Sequence, residues 1–568
     1  MPKIEVFEEA LNKGIGETLS EDELIQQLTV AKAELDERYP EDGLLKIELN
    51  DTNRPDLWSC TGLSRQLKVY REQRIPTYDF FSTKDKEIDC GERIVEVDPG
   101  LKDVRPYIAA FAVTGKKIDE ATLKDIIQTQ EKLCWNYGRK RKSIAMGVYR
   151  TDLFEYPVKY KAVDPEMTKF QPLGLEDELN LREICEKHPK GQEFGHIVSD
   201  KAKFPFLTDA NDEVLSFPPV INSASIGAVQ EGDENLFIEL TGSDIYSLVL
   251  TASIVACDMA DSGFTILPVK IQYPYDTPFG KEYITPFYFQ EPVRLDVAYA
   301  AKLLGVEITS ADAASAIQRM GSKVDIEGDS LLVYPAEYRN DFLHPVDIVE
   351  DIMIGRGMNS FEPLMPEDFT IGRLSPAEEF ARKTKEIMVG LGFQEMVYNY
   401  LGSKKDFIEK MNISGEEVIQ IANPMTENYE YVRNSILPSL LESESVSANA
   451  VYPHKIFELG KTAFLDPSEN YGSKTINSLG FLTAHKDADF NEVNSIISAI
   501  CYYLNLDYTL EKLHDPRFIP GRCAEIYISG KPFGKFGELH PEVLDRWGVQ
   551  MPCTVGEMNL DIVIDRGE

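Results

Sequence analysis

The sequence predicts an α+β protein of several domains, and three observations carry that reading. Its 568 residues exceed what one hydrophobic core usually organises. Short β-rich pieces separated by turn signals recur through the first half, interrupted by two helical stretches. The segment Tyr273-Pro-Tyr-Asp-Thr-Pro-Phe-Gly280 is dense in turn residues and marks a boundary.

Residues 1–84 form the first domain, with helical periodicity over 21–37 and strand alternation over 44–49. A helix over 59–71 follows, in which Leu63, Leu67 and Tyr70 share one face and read as core. Residues 85–270 form a β-rich domain with strands over 94–97, 108–113, 214–217 and 236–240, and helices over 121–135 and 245–259. Residues 271–283 read as a linker. Residues 284–363 form a small module with two amphipathic helices, 294–304 and 310–320, and a strand over 330–335. A third helix starts near His344-Pro345, since proline is well tolerated at a first helical position. The last domain, 364–568, opens with Ser375 capping a helix that runs through 385–391. Strands and helices continue to a strand over 524–528 and a closing run over 554–564. There is no internal repeat.

Eight cysteines without a C-x-x-C pair give neither a zinc pattern nor a disulfide framework, so reduced thiols in the cytoplasm are expected. The acidic N-terminus does not read as a targeting peptide, and no apolar run reaches the ~18 residues of a membrane span. A net charge of −36 argues against general polyanion binding. Any nucleic-acid contact must be local or supplied by a partner.

Four motifs carry candidate chemistry. In Asn53-Arg-Pro-Asp56, Pro55 holds Arg54 extended, and Asp56 or Ser59 caps the following helix. Arg139, Lys140, Arg141 and Lys142 are four consecutive cations with Trp135 and Tyr137 nearby. They are either a solvated face or a surface that meets an RNA backbone and stacks on bases. Ser216, Glu239 and Thr241 sit in strand-like segments and read equally as ordinary strand residues. Asp347, Glu350 and Asp351, at i, i+3 and i+4, put three carboxylates on one helix face. A hard divalent cation would relieve their repulsion, with Asp341 completing the set. The alternative is an acidic first turn that complements the helix dipole.

The chain resembles phenylalanyl-tRNA synthetase β subunits of the short, archaeal/eukaryotic-like kind, such as some bacteria, spirochaetes among them, carry. The resemblance rests on Asn53-Arg-Pro-Asp-Leu-Trp-Ser59 with Gly62-Leu-Ser-Arg65, on Gly138-Arg-Lys-Arg-Lys-Ser-Ile-Ala-Met-Gly147, and on Leu215 to Ser223 with Asn235 to Asp244. It extends to Tyr338-Arg-Asn-Asp-Phe-Leu-His-Pro-Val-Asp-Ile-Val-Glu-Asp-Ile352 and to the last third, through Thr426 to Leu440, Ile456 to Gly460 and Gly534 to Leu544. Departures are Ser64 where the family commonly has Ala, Cys134 where relatives often have His, and Glu239 where some have Asp. It implies a B1-like domain, a B3/B4 editing domain, a B5 module and a class II catalytic-like domain with an antiparallel sheet and helices. It further implies hydrolysis of Tyr-tRNA(Phe) in a pocket lined by Leu207, Ser216, Glu239 and Thr241, tRNA contact at Arg139 to Lys142, and Mg²⁺ on Asp341, Asp347, Glu350 and Asp351. The implied partners are an α subunit, in an (αβ)₂ heterotetramer, and tRNA(Phe), with ATP as a substrate of the complex. Gly537-Glu-Leu-His540 stands where class II enzymes carry the arginine that neutralises ATP, so adenylation is expected on the α subunit. The chain ends after the catalytic-like module, without the anticodon-binding domain of the longer bacterial form. Two rivals are a freestanding editing hydrolase and a scaffold with a dead pocket.

Overall fold

Local sequence chemistry places the first elements. Ser20 and Glu23 form a reciprocal capping box that starts the helix Glu21–Leu28. The Ser59 side chain accepts from the Gly62 amide and starts the helix Cys60–Glu72. The computed structural model describes residues 2–564 and divides into two compact units, Met1–Leu364 and Met365–Glu568.

The first unit begins with a three-stranded antiparallel sheet in the order Lys3–Phe7, Leu44–Leu49, Ala33–Tyr39. The helix expected over 21–37 therefore stops early. After Leu28 the chain makes one short 3₁₀ turn and becomes the strand Ala33–Tyr39, which completes its hydrogen bonds on Leu44–Leu49.

A ten-stranded sheet organises the next two hundred residues. Its path runs Ile221–Asn222, Val214–Phe217, Phe204–Thr208, Val158–Val163, Ile94–Val97, Thr265–Gln272, Tyr107–Thr114, Leu236–Gly242, Ile144–Arg150. The tenth strand, Glu282–Thr285, pairs with Thr265–Gln272. Residues 271–283, expected as a linker, are thus the end of one strand, a turn and the start of the next. Their turn residues make a hairpin inside the domain. The helix Ile245–Asp261 is apolar nearly all round and is buried over most of its length, as a helix inside a large core must be.

The Cys60–Glu72 helix is tied to that buried helix by charge. Ser59 Oγ and Arg65 Nη1 reach the two oxygens of Asp258 at 2.7 and 2.9 Å, and Arg65 also meets Asp261 at 2.8 Å. The Arg54–Asp56 pair, both bonds at 2.8 Å, is buried, and Arg54 also donates to Gln66 of the Cys60–Glu72 helix at 3.1 Å. The Asn53-Arg-Pro-Asp56 motif is therefore a structural joint.

A small module follows, with strands ordered Val293–Asp296, Ser330–Tyr334, Lys323–Glu327 and helices Val297–Leu304, Ser310–Arg319 and Pro345–Arg356. The helix expected over 294–304 starts three residues late, after the strand Val293–Asp296, because Asp296 caps it and fixes its start at Val297. Gly355 lets the third helix lie on the second: a Cβ there would overlap the Ala316 carbonyl oxygen.

The second unit is built on a seven-stranded sheet ordered Gln394–Glu395, His454–Leu465, Ser473–Ala484, Cys553–Asn559, Lys531–Leu539, Phe518–Ile528, Thr509–Lys512. The first pair is parallel and the rest antiparallel. Glu458, Gly480, Glu557, Lys535 and Glu525 lie opposite one another in successive strands and form one row across a single face.

Candidate editing pocket and charged sites

Antiparallel register brings the pocket residues onto one inner surface. Leu207 lies opposite Ser216 on one side and Tyr160 on the other, so the three share a face. At the far end of the sheet Phe237, Glu239 and Thr241 point alike, opposite Tyr149, Gly147 and Ala145. The sheet's curvature closes the gap. Tyr149 Oη lies 2.9 Å from Ser216 Oγ and 2.9 Å from Glu239 Oε1. A phenol has one hydrogen, so it donates to one of these two groups and accepts from the other. Leu207, Ser216, Glu239, Thr241 and Tyr149 are all at most 2% exposed.

Glu239 is held in an unusual state. Its Oε2 is buried with no hydrogen-bond partner, and burial pushes its carboxyl up to about 7, although the Tyr149 hydroxyl and the Arg105 charge pull the other way. Arg105 is a buried guanidinium bonded to no carboxylate. Its Nε donates to Thr241 Oγ1 at 3.0 Å, and its Nη atoms donate to the carbonyls of Thr241, Arg141 and Lys142 at 2.5, 3.2 and 3.1 Å. It fixes the Thr241 hydroxyl and ties the basic loop to the pocket.

Tyr149 and Arg105 were not among the sequence candidates. The alternation of Ile144–Arg150 places Tyr149 on the Gly147 face, a signal readable once that strand is paired. Arg105 has no local signal, because its partners lie in the Leu236–Gly242 strand and the basic loop.

The basic loop does not use its four cations alike. Arg139, Lys140 and Arg141 all have positive φ, 50°, 55° and 64°, a conformation costing ~1–2 kcal/mol per residue. Amide bonds from Lys140 to Trp135 O and from Arg141 to Cys134 O hold the turn. Arg139, Lys140 and Lys142 are exposed. Arg141 turns inward, donates to the carbonyls of Pro219 and Val220 at 3.0 and 3.3 Å, and lies over the Phe194 ring. Trp135, half exposed, carries Lys140 on its face.

In this arrangement of side chains the four carboxylates considered for Mg²⁺ do not converge. Arg339 donates to Asp341 at 3.0 and 2.6 Å and to Asp351 at 2.6 and 3.1 Å. Burial would raise the Asp341 carboxyl, but Arg339 holds it at about 2. Asp347 caps its own helix, accepting from the Leu343 and His344 amides at 2.7 Å each. Glu350 accepts from Lys32 at 2.7 Å. Among the described residues no three His, Cys, Asp or Glu side chains form a metal-holding group. A guanidinium already supplies the compensation that a divalent cation would bring, so this arrangement does not fit the ion.

The fold and its modules define a component of an aminoacyl-tRNA synthetase. Residues 293–358 match the family model described as a tRNA synthetase B5 domain, and residues 362–560 match the phenylalanyl tRNA synthetase beta chain CLM domain. The phenylalanine–tRNA ligase β subunit of Borrelia hermsii is 48% identical over 566 residues, 99% of this chain and 100% of that protein. That of Borreliella burgdorferi strain ZS7 is 47% identical over 569 residues, covering 100% of both. A crystal structure of an N-terminal fragment of the phenylalanyl-tRNA synthetase β subunit from Pyrococcus horikoshii superposes with a TM-score of 0.58 at 35% identity, covering 63% of this chain and all of the fragment. The chain belongs to the phenylalanine–tRNA ligase β-subunit family.

Proposed function

We propose that this chain serves, with an α subunit, in attaching phenylalanine to tRNA(Phe) at the expense of ATP, and that it hydrolyses Tyr-tRNA(Phe) itself. The observation that carries the editing role is the buried meeting of Glu239, Ser216 and Thr241, with one carboxylate oxygen left without a partner. A buried carboxyl group prefers a ligand that brings it a hydroxyl, because one lacking it leaves a buried polar group unmet. In the hydrolysis, water oxygen bonds to the ester carbonyl carbon, the bond to the terminal ribose oxygen breaks, and a proton passes to that ribose oxygen. Thr241, fixed by Arg105, offers a positioned hydroxyl for the ester or the water.

Two features of the second unit favour adenylation on the α subunit. The row Glu458, Glu557 and Glu525 with Lys535 is predominantly acidic where a triphosphate needs cations. Arg433 is buried and bound at 2.7 and 2.9 Å by Glu458, and Ile436 rests on Gly480. Exposed Met365, Phe369, Ile371, Val397 and Met425, each more than 80% accessible, favour a large partner surface. An (αβ)₂ assembly in the cytoplasm suits that surface, and 35% identity to an archaeal fragment over its full length supports the archaeal-like short form.

The test uses the complex co-purified with its α subunit. Replacing Glu239 and Thr241 by Ala should abolish Tyr-tRNA(Phe) hydrolysis and leave phenylalanine-dependent ATP–pyrophosphate exchange intact. Unchanged hydrolysis sinks the editing role, and hydrolysis at full rate by the chain alone favours the freestanding hydrolase.

A further inference from the structure

We propose that Tyr149 is a built-in competitor for the phenol subsite of the editing pocket, so that a tyrosyl group enters only by exchanging its hydroxyl for the one Tyr149 holds there. The inference rests on the editing reading and adds what controls access to the pocket.

The geometry is that of an occupied subsite. A hydroxyl recognised by Glu239 and Ser216 must sit within hydrogen-bond reach of both, and the phenol of Tyr149 does so at 2.9 Å from each. Gly147 makes the berth. It is two residues before Tyr149 on the same strand face and directly opposite Glu239, and a Cβ there would overlap the Tyr149 hydroxyl. Only a glycine lets the ring lie along the strand to the carboxylate. The ring is backed at 6.2 Å by Phe237, itself in edge contact with Phe154 and Tyr156. With Tyr149 in place the pocket residues are sealed from solvent.

The consequence follows from counting hydrogen bonds before and after entry. A tyrosyl substrate that displaces Tyr149 restores the bond to Glu239, and its hydroxyl adds no net gain. A phenylalanyl substrate that displaces Tyr149 leaves a buried carboxylate oxygen unmet, a penalty of about tenfold to a hundredfold. The competitor therefore raises the threshold for both aminoacyl groups by the same factor, while the ratio between them belongs to Glu239. Its effect is on the absolute scale: correctly charged Phe-tRNA(Phe) is spared.

Tyr149→Phe keeps the ring and removes the competing hydroxyl. In the purified complex it should raise kcat/KM for hydrolysis of both Tyr-tRNA(Phe) and Phe-tRNA(Phe) about tenfold to a hundredfold and leave their ratio unchanged. Gly147→Ala sets a Cβ against the Tyr149 hydroxyl and 2.7 Å from Glu239 Oε1, so it fills the berth itself and should lower hydrolysis of both. A fall, or no change, for Tyr149→Phe in a complex whose wild type edits overturns the proposal. A separate readout does not need turnover. Tyr149→Ala should bind p-cresol saturably at one site by calorimetry, where the wild type does not, and Tyr149→Ala/Glu239→Ala should lose that binding. No binding by Tyr149→Ala overturns the proposal. Cresol binding without hydrolysis by any form overturns the editing reading alone, and leaves Tyr149 as the occupant of a phenol site.

Discussion

At the scale of single residues, burial turns two carboxylates into opposite cases. Asp341 is buried beside a guanidinium and stays ionised, whereas Glu239 is buried beside a phenol and an arginine that bonds no carboxylate, and holds its proton up to about 7. The sign of the second case fixes a stability profile. A folded-state pKa above the unfolded value of 4.5 means the folded chain binds more protons between those pH values. Stability from Glu239 is therefore full below about 4.5 and is lost as pH rises through about 7, by roughly 3 kcal/mol. Glu239→Gln keeps an acceptor and removes the titration. Thermal unfolding of the full chain at pH 5 and pH 8 should show the variant gaining on the wild type at the higher pH. Parallel profiles would show that Glu239 is ionised throughout.

Elements explain which parts of this molecule were legible in the sequence. Caps were, because Ser59 and Ser375 act over three residues, and so were the strands whose alternation is local. Turn density at residues 271–283 was misleading, since the same residues serve a linker or a hairpin and only pairing decides between them. The acidic helix shows the limit of spacing rules. Asp347, Glu350 and Asp351 do occupy neighbouring helical positions, but side-chain direction depends on Arg339, Lys32 and two loop amides that no helical period reveals. In the candidate pocket, Ser216 and Glu239 were found from motif position, whereas Tyr149 joins them only through contacts 67 and 90 residues away along the chain. Arg339 provides a test at this scale. Arg339→Met should strand Asp341 and Asp351 in a buried site and cost ~3–5 kcal/mol, read from the unfolding midpoint. A chelator should leave the wild-type midpoint unchanged and lower that of the variant, whose carboxylates then need a divalent cation. A fall in the wild type on chelation would reinstate a resident metal.

Across the whole molecule, a net charge of −36 means that any contact with a polyanion must be made where exposed cations stand together. The left-handed turn after the Leu133–Tyr137 segment is one such point, and its strain is repaid by amide bonds to Cys134 and Trp135. Because Arg141 is committed to Pro219, Val220 and Phe194, the turn leaves three exposed charges from its four-residue cationic run. Each phosphate contact contributes about 0.7–0.9 to the slope of log K against log salt. Replacing Arg139, Lys140 and Lys142 together by Ala should then reduce the slope for tRNA(Phe) binding to the complex by about 2–3. Arg141→Ala should leave that slope nearly intact and instead impair Tyr-tRNA(Phe) hydrolysis, since it loosens the loop that Arg105 ties to Thr241. An equal slope change from Arg141→Ala would place that side chain on the RNA and end its structural role.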